Sequence, residues 1–192
     1  MFGKLKKIRR YNFFAAEVVI LLTIGAAIAL PAMHRAKERA GVASCINNNK
    51  QLACAISFYA GDNDNWYPPA AGKDGLQLLR PYLDDNERIF RCPVSGKEDK
   101  FYAYYGNGLK CAMLGNCPGA IPILACHNHN GTEFVVVYGD GHVIQLDAGK
   151  LFSTHENLVR YAFENSIFEG CENKAWEIVL ENARTLDRNN RE

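Results

Sequence analysis

The stretch NFFAAEVVILLTIGAAIALPAM, from Asn12 to Met33, constrains this chain more than any other. Residues 13 to 30 form an apolar run broken by a single charge, Glu17. As a helix at ~1.5 Å per residue the run extends about 27 Å, enough to enter and cross the hydrocarbon layer of a membrane. Thr23, Gly25 and the many alanines make it less greasy than a plain anchor, which suits a segment that leaves lipid for a protein environment. A carboxylate in such a low-dielectric setting is costly unless paired. Lys4, Lys6, Lys7, Arg9 and Arg10 precede the run, and Arg35, Lys37 and Arg39 follow it. The positive-inside rule weakly favours a cytoplasmic N-terminus with the remainder on the other side. Ala27-Ile28-Ala29 has the look of a signal peptidase site, but the length of the run and the acid within it argue against a simple signal peptide.

The 192 residues, 48% hydrophobic and 22% charged, suit one globular domain plus an appendage. A net charge of +1 supplies no field that would draw the chain to phosphate backbones, so no nucleic-acid partner is expected. Seven cysteines are many for a reducing compartment. No CxxC pair occurs, which argues against a zinc ribbon or a thioredoxin-type motif. Partial disulfide bonding outside the cytoplasm is preferred to wholly reduced cysteines. The spacing of Cys111 and Cys117 would close a small loop, although the sequence does not choose the pairing.

Four regions follow from the pattern: a basic leader over residues 1–12, one long helix over 13–60 that is membrane-embedded to about 31, a small α/β globular domain over 61–150, and a helical extension over 151–192. Pro31 breaks or kinks the long helix, and beyond it Val42, Cys45, Ile46, Leu52, Ala53, Ile56 and Tyr59 recur at helical spacing, so this half carries an apolar stripe for a soluble domain. GDNDNWYPP ends it. A short helix is expected around Leu76 to Leu83, then a brief extended piece in RIFRCPVSG and an aromatic strand in FYAYYGNG. IPILACH, TEFVVVYG and HVIQLD read as a β-meander over 121–147, with turns at Asn130-Gly131 and Gly139-Asp140-Gly141. Ser153 to Glu156 reads as a capping box that opens the first of two C-terminal helices.

FFAAEVVILLTIGAAIALPAM behind a short basic leader resembles the N-terminal segment of type IV pilins and type II secretion pseudopilins, usually a glycine followed by FTLIELLVV and then LLLPAL. CINNNKQLACAISFYAGDNDNWYPP is similar to the continuation in a large bacterial subgroup, approximately CxxNLKQLALAxxxYxxDxxxxxPP. RCPVSG, with Cys92 and Pro93, resembles a CPS element of that subgroup. HNHNGTEFVVVYGDGHV resembles its closing motif, a histidine ahead of Asp140-Gly141-His142-Val143. Together these cover residues 4 to 69, 90 to 96 and 127 to 143.

The resemblance implies a pilin-like α+β fold, with a long, half-transmembrane N-terminal helix packed on a small antiparallel sheet domain and extra C-terminal helices. It implies a non-enzymatic structural subunit without catalytic residues, held in the bacterial inner membrane by a single pass with its C-terminal domain periplasmic or extracellular. A membrane prepilin peptidase would cut between Asn12 and Phe13, the new amine would be methylated, and the subunit would join other pilin-like subunits through the secretion or pilus assembly machinery. Phe13 and Glu17 are then the assembly residues, Glu17 pairing with a neighbour's N-terminal ammonium and setting register. The chain departs from the pattern at Asn12, where glycine is usual. Its Glu17-to-Pro31 segment is about one helical turn short, and the stretch between His129 and Asp140 is one residue longer than usual. An alternative is a membrane-anchored extracytoplasmic binding protein of the same fold that is neither processed nor polymerised.

Three competing sites weigh less. Cys126, His127, His129, Asp140 and His142 could supply a metal or hydrolase site, but a meander puts His129 and His142 at opposite ends of its middle strand, about 20 Å apart at ~3.3 Å per residue. Asp62 and Asp64 in GDNDN suit calcium, the sole cofactor considered, yet the glycine and distal glutamate of an EF-hand are missing. Cys126 and His127 are strand neighbours and point to opposite faces, which disfavours a nucleophile and base pair.

Overall fold

A computed structural model describes residues 2–94, 101–129, 133–147, 154–166 and 174–189, with residues 2–16 and 127–129 described by their backbone. The layout is α+β: a long N-terminal helix, a small antiparallel sheet of four strands, and C-terminal helices. Helix α1 is Phe2–Asp62. Contacts divide the chain into two compact units, residues 1–40 and 41–192.

In the first unit, α1 already includes the basic leader, where the sequence reading starts the helix near residue 13. Leu, Lys and Arg are good helix formers, and no proline interrupts them before Pro31. Pro31 lies inside α1 without ending it; its missing donor costs one intrahelical bond, which the flanking turns outweigh. Thr23 Oγ1 donates back to the Ile20 carbonyl at 2.8 Å, so its hydroxyl is satisfied within the helix.

In the second unit, residues 41–62 of α1 bury Cys45, Asn49, Leu52, Ala53, Ile56 and Ala60, a stripe at spacings of three and four. The helix ends where Asn65 N donates to the Ala60 carbonyl at 2.8 Å and Asp64 and Asn65 adopt positive φ, a conformation these residue types tolerate. The helix expected around Leu76 to Leu83 is two pieces instead: α2, Gly72–Gln77, and a 3-10 turn over Arg80–Leu83 with Pro81 in its first turn. Proline has no N–H to continue α2 but fits the start of a new turn. Part of the extended piece in RIFRCPVSG is also a 3-10 turn, Glu87–Phe90, because the Asn86 side chain accepts from Arg88 N and caps it.

The sheet runs β1-β2-β3-β4, all antiparallel, with β1 Ala103–Tyr104, β2 Pro122–His129, β3 Glu133–Tyr138 and β4 Val143–Asp147. The meander expected from sequence is β2 to β4. Five of the six β3 residues are buried, as an uninterrupted Phe-Val-Val-Val-Tyr run requires when both faces are covered. Val135 pairs with Cys126 on the face that meets Cys45 of α1. On the other face, the Tyr138 hydroxyl donates to the Ala162 carbonyl at 2.8 Å, in α3, His155–Glu164. The sheet thus lies between residues 41–62 of α1 on one face and α3 on the other.

Helix α4, Lys174–Asn189, packs on α3 through the stacked rings of Phe163 and Trp176, 4.1 Å between centroids. The cap of α3 is Thr154, whose hydroxyl accepts from Asn157 N at 3.2 Å, one position later than the capping box expected. Ser153 lies outside the described residues. The first two amides of α3 are served from α4 instead: His155 N and Glu156 N donate to the two Asp187 carboxylate oxygens at 2.7 and 3.0 Å. Glu156 is then left to pair with Arg160 and Arg184, each at 3.0 Å.

Candidate functional site

The apolar run of the first unit is where sequence and structure meet most plainly. Val18, Val19, Ile20, Leu21, Leu22, Ile24, Ile28, Leu30 and Met33 are all exposed, several by more than 65%. None of this segment is buried inside the chain, and α1 is long and apolar enough to cross a membrane. A helix on a soluble core buries one stripe; this one offers apolar surface all round. Burying a side chain of this size is worth about 1.5–3 kcal/mol, so nine of them select lipid or protein surroundings over water. Glu17 sits at the head of the run, also exposed. Phe13 is four residues earlier on the same helical backbone, which puts the two positions on one side of α1. The side chains of Asn12 and Phe13 lie outside the described residues.

The chain matches no family model, no curated protein and no solved structure. The reading of α1 therefore rests on its own chemistry.

The other sequence-predicted residues scatter. His129 pairs with Glu133 where β2 meets β3, whereas Asp140, Gly141 and His142 lie in the turn beyond the far end of β3. Gly141 has φ of 85°, and Asp140 Oδ1 accepts from His142 N at 3.0 Å as well as contacting His142 Nδ1. The His142 ring stacks on Tyr138 at 4.5 Å. The Asp-Gly-His element thus builds a rigid turn, closed by the Tyr67 hydroxyl donating to the Gly139 carbonyl at 3.2 Å. The side chains of His127 and His129 lie outside the described residues. Asp62 accepts from the Tyr82 hydroxyl at 2.9 Å and Asp64 sits in the left-handed turn. Among the described residues these two carboxylates do not gather with a third ligand.

The Cys111–Cys117 loop is corrected: Cys117 is disulfide-bonded, but Cys111 is free and exposed. Cys111 opens a 3-10 turn, Cys111–Leu114, and its backbone N donates to the Asn65 carbonyl at 2.9 Å, which ties this end of the segment to the turn after α1. Cys92 is buried and Pro93 exposed in the turn that follows.

What sequence reading missed is a convergence of Cys92 with Cys45 of α1 and Cys126 of β2. No short-range spacing announces it, because the three residues come from separate elements.

Proposed function

We propose that this chain is a non-enzymatic, pseudopilin-like structural subunit of a type II secretion or type IV pilus-like filament. The observation that carries the proposal is the exposed apolar surface of α1 from Val18 to Met33, headed by a lone carboxylate. Lipid would hold that surface before assembly and neighbouring copies of the same helix afterwards. In that setting Glu17 is buried among helices and is stabilised by a neighbour's N-terminal ammonium, so register is set by the one position where the charge is neutralised. The antiparallel sheet and the C-terminal helices would form the extracytoplasmic head, with the basic leader on the cytoplasmic side of the bacterial inner membrane.

Intact-mass measurement of the chain isolated from membranes tests this. A chain beginning at methylated Phe13 is the expected result and requires both the peptidase and the methylating activity. A chain retaining Met1 overturns processing and leaves the alternative of an anchored extracytoplasmic binding protein.

A further inference from the structure

Three thiols meet inside the second unit. Cys45, Cys92 and Cys126 are 0%, 4% and 0% exposed, and their Sγ atoms lie within 4.8 Å of one another. None of them is in a disulfide, although Cys117 of the same chain is. Beside them lies Asn49, fully buried, whose Nδ2 donates to the Cys45 carbonyl at 2.9 Å and reaches Cys45 Sγ at 3.4 Å. Its Oδ1 is buried with no hydrogen-bond partner. An orphaned buried amide oxygen costs about 1–3 kcal/mol, a cost that simple packing of small apolar residues gives no reason to carry. The Tyr102 hydroxyl, which donates to the Arg91 carbonyl at 3.0 Å, also interacts with Cys45.

We propose that Cys45, Cys92 and Cys126 form a binding site for one thiophilic d10 cation, monovalent copper or zinc, held by their sulfurs. Metal–sulfur bonds of about 2.3 Å place three ligand sulfurs about 3.8–4.0 Å apart, so closing on an ion asks for less than about 1 Å of contraction from the observed separations. Each ligating thiol gives its proton to solvent and a sulfur lone pair to the ion, and no electron is transferred. The thiolate charge so created has a donor in place, the Asn49 amide next to Cys45 Sγ. Three ligands match the trigonal preference of monovalent copper; zinc, which favours four, would take Asn49 Oδ1 as the fourth. Without an ion the Cys45 and Cys126 thiols stay protonated. Burial, then hydrogen bonds with Cys45 and Cys92, push Cys126 far up. For Cys45 the hydrogen bond with Cys126 pulls downward, but the bond with Cys92 and burial outweigh it and leave the thiol pushed up to about 12.

The test uses the full chain in detergent, reduced and metal-stripped without oxygen. It is then incubated with copper(I), supplied as a weak competitor complex, or with zinc(II), desalted, and assayed for bound metal and for alkylation of each cysteine. The expected result is about one retained ion per chain, a higher melting temperature, and protection of Cys45, Cys92 and Cys126 from alkylation. C45S, C92S and C126S should lose retention, C54S and C111S should keep it, and N49A should weaken it by about tenfold. Whether copper or zinc is retained identifies the occupant. Retention no greater than in the C45A/C92A/C126A variant, or unchanged alkylation of the three wild-type cysteines with either metal, overturns the site. So does a native disulfide among the three in a protein that binds neither ion after reduction. The alkylation arm uses wild-type protein, so a variant that fails to fold does not rescue the idea.

Discussion

Asn182 on α4 ties the C-terminal helices to Tyr105: its Nδ2 donates to the Tyr105 carbonyl at 2.7 Å and to the Asn107 carbonyl at the same distance. One amide thus satisfies two carbonyls just beyond the short strand β1. Asn182→Ala leaves both without that donor and should cost about 1–3 kcal/mol. Asn182→Asp, which sets a carboxylate against two carbonyl oxygens, should cost more. Urea unfolding of the full chain in detergent reads both, and wild-type stability in both variants would show that the donor is not what matters.

Asp187 serves the start of α3 from a different helix, and its two oxygens accept from His155 N and Glu156 N. Charge-assisted bonds to the first amides of a helix also meet the positive end of its dipole. Asp187→Ala should destabilise by about 1–2 kcal/mol. Asp187→Asn should recover only part of this, since its amide keeps one acceptor and sets a donor against the second N–H. Thermal melts at fixed pH compare the three.

His155 makes stability depend on pH. Burial holds its imidazole below the ordinary value of 6.5, against a smaller upward pull from Asp187, and its Nδ1 lies 3.1 Å from the Tyr105 hydroxyl. The folded state therefore binds the proton less readily than the unfolded state. Stability from this residue is complete above about pH 6.5 and declines as the pH falls from there toward the lowered folded value. His155→Gln should flatten the profile in that window; a profile unchanged by the substitution would rule His155 out as its source.

Gly75 is set by space. A Cβ there would lie 2.7 Å from Tyr104 Cδ1 and collide with the Ala70 carbonyl, and Tyr104 is fully buried. Gly75→Ala should cost about 1–3 kcal/mol by overpacking. Gly61→Ala, with nothing within 4 Å of the added carbon, should stay within about 0.5 kcal/mol.

Glu17 tests assembly. If a neighbour's ammonium neutralises it, Glu17→Gln should lower cross-linked oligomer in membranes by about tenfold, an interaction loss near 1.4 kcal/mol, at unchanged subunit level. Unchanged cross-linking would remove Glu17 from the contact.

The long helix, the meander and the two C-terminal helices were legible in the sequence because each carries a strong local signal: an unbroken apolar run, valines bounded by Gly turns, apolar residues at helical spacing. The sheet's two-sided cover was foreshadowed by the continuous Phe134–Tyr138 run. Residues 72–94 were misread in part, since Pro81 and the Asn86 cap set boundaries that apolar spacing does not record. The buried cysteine cluster was beyond local reading altogether. It depends on bringing Cys45, Cys92 and Cys126 together across separate elements, and only tertiary packing does that. For the same reason Thr154, rather than Ser153, caps α3: with Asp187 already serving the first two amides, the hydroxyl in reach of the third decides the boundary.

The dependence of early segments on Asn182 and Asp187 also fixes an order in time. The carbonyls of Tyr105 and Asn107 and the first amides of α3 wait for partners made up to about 80 residues later, roughly 4–16 s at ~5–20 residues per second of synthesis. Within that interval the sheet sequence is complete at Asp147, and its α3 face lacks its cover until Ala162 is made about 15 residues, or roughly 1–3 s, later. A chain with such a schedule exposes that face of its sheet before the helix that covers it exists, so early contact with another chain is where its folding is most open to error.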